Sequence, residues 1–330
     1  MRKYTLPAIV AALLLTGSTA LTPNTVPNSF SSATVAPRSY EVIDTYARRT
    51  PEAYTKSIKT LSDYLTAPAR SDMAKARSIY AWILTHVRYD YGSYTGAHYS
   101  SEAYYAAQIL KSRRAVCSGF AHLYKQLLSQ AGVEVTTVKG YARYNDSQAG
   151  FPTGGIDHEW NAVKLDGDWY LCDLTWASTT AQKGVPNDFY FMTDPQAFIS
   201  QHFPLDSRWQ LLSRSVSKPD FDRFPKYYDA YFNLGFNPYF PKQGILRGSN
   251  GVSLNLTNEK NVEFWCAVGP RGKSSYTQMK HTVSRSGDNY QLQVQLPGRS
   301  NQTLYVFAKP KAGSREQYKQ YAAIASFTVL

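Results

Sequence analysis

Cys117, His158 and Asp173 are a thiol, an imidazole and a carboxylate, carried by the segments "AVCSGFAHLY" and "DHEWNAVKLDGDWYLCDLTW". A thiol that loses its proton to an imidazole is a strong nucleophile toward an amide carbonyl. The imidazole serves best when a carboxylate accepts the proton on its other ring nitrogen, which fixes the tautomer and stabilises imidazolium. Three side chains from separate segments must converge for this chemistry, so the elements that carry them decide whether it is possible.

After Cys117 the apolar positions Phe120, Leu123, Leu127 and Ala131 recur at helical intervals, and Gly132 supplies a stop. Cys117 therefore begins a helix, on its buried stripe, where the positive end of the helix dipole favours a thiolate. His158 and Asp173 flank Asp166-Gly167, a strong two-residue hairpin signal. With those two residues as the turn, facing positions sum to 333, so Leu165 faces Asp168, Val163 faces Tyr170, Asn161 faces Cys172 and Trp160 faces Asp173. His158 and Asp173 then share one face of the sheet as diagonal neighbours, roughly 7 Å apart along the backbone, and Cys172 takes the opposite face. If the Cys117 helix docks on the His158 and Asp173 face, the thiol is the nucleophile. Singly, each residue has a plainer explanation: a small core cysteine, a surface histidine, an aspartate ending a strand. Their joint placement favours a triad. His122 lies about 140° around the helix from Cys117 and is a poor rival base. His86, His98, His202 and His281 lie near no motif, and Cys266 in "VEFWCAV" reads as strand packing.

The rest of the chain supplies the frame. Residues 1–20, with Arg2 and Lys3 before the apolar run Leu6–Leu15 and small residues up to Ala20, read as a cleavable signal peptide, with cleavage near Ala20. Residues 21–39, rich in Ser, Thr, Pro and Asn, read as a flexible linker. Helical spacing runs through Asp72–Val87 and again through about Ser101–Leu110, while "VEVTTVKGYARY" reads as a strand. These fall within a catalytic domain over 40–235. Beyond it, short alternating runs from Val252 to Val329 predict a β-sandwich over 236–330. The chain has a net charge of +12, or +10 once Arg2 and Lys3 are removed. This favours an anionic cell-surface polymer as a partner beside a protein or peptide substrate. Nucleic acid is disfavoured because no recognition motif is found and the charge is scattered. No transmembrane segment is expected. Three cysteines cannot build a disulfide framework, and their spacings do not resemble a zinc site.

The segments "AVCSGFAHLYKQLLSQAGVEVTTVKGY", "DHEWNAVKLDGDWYLCDLTW" and "ARSIYAWILTHVRYD" together resemble the transglutaminase-like superfamily, closest to its kyphoscoliosis-peptidase-like branch. The resemblance covers about residues 75–180. It implies an α+β, papain-like fold in which a Cys helix packs on an antiparallel sheet, with an immunoglobulin-like domain following. It carries the catalytic roles onto Cys117, His158 and Asp173. It also places Trp82, Trp160 and Trp176 at positions that shape the substrate cleft or the oxyanion region, although the helical pattern around Trp82 favours core packing. The chemistry implied is acyl transfer through a thioester, with peptidase or amidase activity favoured over cross-linking because nothing here identifies an amine site. The acidic clusters of the family's metal-dependent members are not found, so no cofactor or metal is implied. The expected protein is a secreted, cell-surface or periplasmic cysteine enzyme. The alternative is a non-catalytic adhesion module that binds protein or wall polymer.

Overall fold

Serines start three of the helices. Ser57, Ser71 and Ser101 each accept the backbone N–H three residues on, at 3.1, 3.2 and 3.1 Å, which satisfies a donor that a helix start leaves unpaired. In the computed structural model, which describes residues 4–5, 40–92, 99–181, 184–273, 275–298, 301–311 and 320–330, they precede α2 (Ile58–Thr66), α3 (Asp72–His86) and α4 (Glu102–Ser112). With α1 (Glu41–Arg48) and α5 (Cys117–Gln130) these form a helical layer. Arg77 fastens its outer side by bonding Asp44 at 2.6 and 2.7 Å and Asp188 at 2.9 Å. The signal-peptide and linker segments, 1–39, lie outside the described residues except β1 (Tyr4–Thr5), which pairs with Ser275 and Tyr276. His98 also lies outside them.

Parallel strands β2 (Arg88–Tyr89) and β3 (Arg114–Ala115) lead into α5. The helical layer packs on an antiparallel sheet of β4 (Val135–Ala142), β5 (His158–Leu165), β6 (Asp168–Cys172), β7 (Phe191–Thr193) and β8 (His202–Pro204), in the order β7-β6-β5-β4-β8. The hairpin register is the one that the Asp-Gly turn predicts, with Leu165 opposite Asp168 and Asn161 opposite Cys172. Both turn residues have positive φ, 52° at Asp166 and 102° at Gly167, as a type I′ turn requires.

The helix docks on the other face of this sheet from the one that bears His158 and Asp173. Val163, Leu165 and Cys172 share a core with Phe120, Leu123 and Leu127 of α5, and Asn161 Nδ2 donates to the carbonyl of Ala121 at 3.0 Å. Trp160, Ala162 and Leu171 point the opposite way, into a cluster with Val138, Phe198 and Leu211. Every residue of β5 but Lys164 is buried, so both faces are covered. Nothing in the pattern therefore says which face the helix covers. His158 is nonetheless the first residue of its strand and Cys117 the first of its helix, so the two meet at the end of the sheet.

The C-terminal part is a sandwich with a core of its own. Its larger sheet runs β1-β13-β12-β16-β17-β10, with β9 (Lys226–Tyr227) also on β17; its members are β10 (Ile245–Leu246), β12 (Val262–Pro270), β13 (Ser275–Gln278), β16 (Gln302–Pro310) and β17 (Ala322–Val329). The smaller sheet is β11 (Gly251–Thr257), β15 (Asn289–Gln295) and β14 (His281–Ser286). Cys266 packs between them as expected, together with Phe264, Leu292 and Phe327. Phe221, Tyr227 and Tyr231 join the same core. Elements that the sequence reading places before residue 236 thus pack with the sandwich. The short polar strands β13 and β14 give too little alternation of hydrophobicity to be read in advance.

Candidate active site

Cys117 is half-buried at the first position of α5, preceded by Val116, which caps no backbone group with its side chain. The N–H groups of the first turn are therefore free of side-chain capping and point toward the thiol's end of the helix. Gly119 lets this turn lie close to its neighbours, since a Cβ there would stand 2.9 Å from the Ala115 side chain and 3.0 Å from Ile109.

Asp173 follows β6 and caps α6 (Leu174–Thr179), its Oδ1 accepting the Trp176 N–H at 3.0 Å. Its other oxygen, Oδ2, takes His158 Nε2 at 2.7 Å. The Cys117 thiol lies near enough to His158 to help raise its imidazolium, and with Nε2 committed to Asp173, Nδ1 is the ring nitrogen free to face it. Burial alone would drive the His158 imidazolium to lose its proton. The charge and hydrogen bond of Asp173, helped by Cys117, outweigh this and carry it up to about 10. Burial likewise opposes the Asp173 carboxylate, but His158 and His202 hold it well below the usual range. The histidine is thus kept as imidazolium against a carboxylate that stays ionised.

His202 is a residue that sequence reasoning missed. It lies on β8, pairs with Ala142 of β4, is wholly buried, and sends Nε2 to the same Asp173 Oδ2 at 2.9 Å. Burial pushes it down to about 4, with Asp173 offsetting only part, so it is a neutral imidazole donating one N–H. Its strand is the three-residue run His202–Pro204, and strand order, not sequence proximity, brings it to the site. The one sequence signal was a histidine inside an otherwise apolar short strand.

Of the three tryptophans, Trp160 and Trp176 build the wall behind the histidines, with ring centroids 5.9 Å from His158 in each case and 5.2 and 4.5 Å from His202. Trp82 is wholly buried, held between His86 at 4.8 Å and the Arg113 guanidinium at 4.6 Å. It packs in the core, as its helical neighbours imply. His122 is turned to buried Glu159, with Nε2 to Oε1 at 3.3 Å. Cys172 lies under α5 beside Tyr124, and burial raises its thiol to about 12. All three cysteines are free thiols.

His158, Asp173 and His202 are the one group of possible ligands among the described residues whose ligating atoms lie within 4.8 Å of one another. That closeness is accounted for by two imidazole N–H groups sharing one carboxylate oxygen, which leaves none of the three atoms over for a cation.

The Transglutaminase-like superfamily model matches residues 59–174, and the model of the KY-like, immunoglobulin-like domain matches residues 218–330. The mouse kyphoscoliosis peptidase is 30% identical over 298 residues, covering 88% of this chain and 43% of its own. The Caenorhabditis elegans Lim and transglutaminase domain protein ltd-1 is 32% identical over 221 residues, 58% of this chain and 28% of its own. A solved TGase structure aligns over 47% of this chain and 37% of its own at 18% identity, with a TM-score of 0.27. The chain spans less than half the length of the curated relatives it matches. Residues 59–174 thus carry a domain of the transglutaminase-like superfamily and residues 218–330 a KY-like immunoglobulin-like domain, the pairing that matches the kyphoscoliosis-peptidase-like branch.

Proposed function

We propose that this protein is a cysteine acyl-transfer enzyme acting on protein or peptide amides, with Cys117 as nucleophile, His158 as acid and base, and Asp173 as the carboxylate that orients and charges His158. The observation that carries this is the buried His158 Nε2–Asp173 Oδ2 bond at 2.7 Å, beside a Cys117 thiol near enough to help raise the same imidazole. The Cys117 thiolate attacks the amide carbon, forming the C–S bond and a tetrahedral oxyanion, which the backbone N–H of Cys117 faces at the uncapped helix start. Collapse breaks the C–N bond as His158 hands its proton to the departing amine. Water then gives a proton to His158 and attacks the thioester, releasing the acid and restoring the thiolate–imidazolium pair.

Hydrolysis is favoured over transamidation, because a transferase must select an amine over water at roughly 55 M, which takes a dedicated amine site. The name peptidase carried by the curated relatives agrees with this direction. The leader-like residues 1–20 support export, and the basic surface supports an anionic surface polymer as a docking partner. Incubating purified protein with a proteome digest, with and without a labelled primary amine, tests the reaction class. New peptide termini are expected. Amine incorporation without cleavage would make the protein a cross-linker, and an unchanged digest would make it a binding module.

A further inference from the structure

We propose that His202 is a positioning residue of the catalytic apparatus, a fourth member of the relay that holds the Asp173 carboxylate turned toward His158. The proposal rests on the reading of Cys117, His158 and Asp173 given above. Asp173 has no exposure to solvent, so every stabilising partner of its charge must come from the protein. Three donors are on hand: Trp176 N–H on Oδ1, and His158 and His202 on Oδ2. The first comes from the carboxylate's own helix. The second is the group that the carboxylate must serve, and it moves its proton during the reaction. His202 is the one donor from a separate strand that takes no part in proton transfer.

The surroundings of His202 suit that task. Its ring stacks on Phe198 at 4.1 Å and 17°, and packs against Trp160, Trp176 and Tyr190, so its orientation is set by aromatic contacts on several sides. The titratable groups that face it are Asp173, His158 and Tyr190. Arg143, the cation one residue beyond Ala142 in the adjoining strand, is turned instead to the carbonyls of Gln148, Phe151 and Phe221. A neutral imidazole supports the carboxylate without adding a positive charge beside the His158 imidazolium, which a lysine or arginine in its place would do. The close approach that brings His202 in depends on Gly140, where a Cβ would meet the Phe203 carbonyl of β8.

The test compares His202→Leu, which fills space but donates nothing, with His202→Gln, whose terminal amide can place an N–H near the position of the imidazole Nε2–H. Two readouts separate positioning from packing: the titration of the His158 ring by NMR, and the pH dependence of Cys117 alkylation by iodoacetamide, with thermal melting recording stability apart. His202→Leu is expected to lower the His158 midpoint by about one pH unit and to slow Cys117 alkylation at pH 6 about tenfold. His202→Gln should restore both to within about threefold of wild type. A folded His202→Leu protein with unchanged His158 titration and alkylation overturns the proposal, as does a His202→Gln protein no better than His202→Leu. If His202→Leu does not fold, the Gln variant decides alone: a folded His202→Gln chain whose His158 midpoint has fallen by a full unit overturns it. A wild-type Cys117 no faster than a free thiol would instead count against the catalytic reading, and the His158 titration would still report on His202.

Discussion

Replacing Asp173 by asparagine keeps the shape of the side chain and removes its charge. His158 stands at about 10 against an ordinary 6.5 because that charge overcomes burial. Without it burial remains, so the imidazolium should titrate at least about 3.5 pH units lower, a loss of roughly 5 kcal/mol for the charged ring at about 1.4 kcal/mol per unit. Asparagine also has one acceptor oxygen for three donors, Trp176 N–H, His158 Nε2 and His202 Nε2, and its amide NH2 accepts none of them. At least one buried donor is left facing another, at a cost of about 1–3 kcal/mol in stability. We expect kcat/KM to fall about 10³-fold, with KM changing little, because imidazolium stabilisation is lost while the substrate surface is kept. The assay is turnover of a peptide substrate beside an NMR titration of His158. A folded Asp173→Asn protein whose His158 still titrates near 10, or whose kcat/KM stays within threefold of wild type, would refute the reasoning.

Cys172→Ser, one residue away but under α5, should cost about 1 kcal/mol by burying a hydroxyl beside Tyr124 and leave turnover per folded molecule unchanged; urea unfolding and turnover check both halves. The two buried histidines should give stability a maximum near pH 6.5. His158 is raised to about 10, so its contribution is complete below its unfolded value of about 6.5 and is lost as pH rises through 10. His202 is lowered to about 4, so the unfolded chain binds the extra proton between about 6.5 and 4 and stability falls as pH drops through that window, by on the order of 3 kcal/mol. Unfolding free energies measured from pH 4 to 10 test this, and His202→Leu should flatten the acid side and move the alkaline fall about one pH unit lower. Gly140→Ala should destabilise the protein by about 1–3 kcal/mol through overpacking and reduce turnover as well, because its Cβ would run into the Phe203 carbonyl, forcing β8 away from β4, and would stand 2.6 Å from the Trp160 ring on β5. A folded Gly140→Ala chain with wild-type turnover would contradict the role given to that contact.

The part of this site that local chemistry determines was readable in advance. Asp166-Gly167 sets the hairpin register, and the register alone puts His158 and Asp173 together and sends Cys172 the other way. The helical start at Cys117 follows in the same manner from the spacing of Phe120, Leu123 and Leu127. What could not be read depends on long-range assembly. With Trp160 and Ala162 as apolar as Val163 and Leu165, either face of the hairpin could have received α5, and the helix took the face opposite His158 and Asp173. His202 reaches Asp173 because β8 adds to the sheet beside β4, not beside the preceding strand β7, and three residues of strand carry no pattern from which that order could be inferred. The packing of Phe221, Tyr227 and Tyr231 into the sandwich core has the same origin, since their partners lie on strands far along the chain.

The central claim, that Cys117 is a nucleophile driven by His158, is tested most directly by intact-mass and peptide-level mass spectrometry after brief exposure to an activated acyl ester. The account predicts one acyl group on Cys117, labile to hydroxylamine as a thioester is, absent in Cys117→Ala and strongly diminished in His158→Ala. Acylation that falls equally on Cys117, Cys172 and Cys266, or acylation of Cys117 that is undiminished in a folded His158→Ala protein, would contradict it.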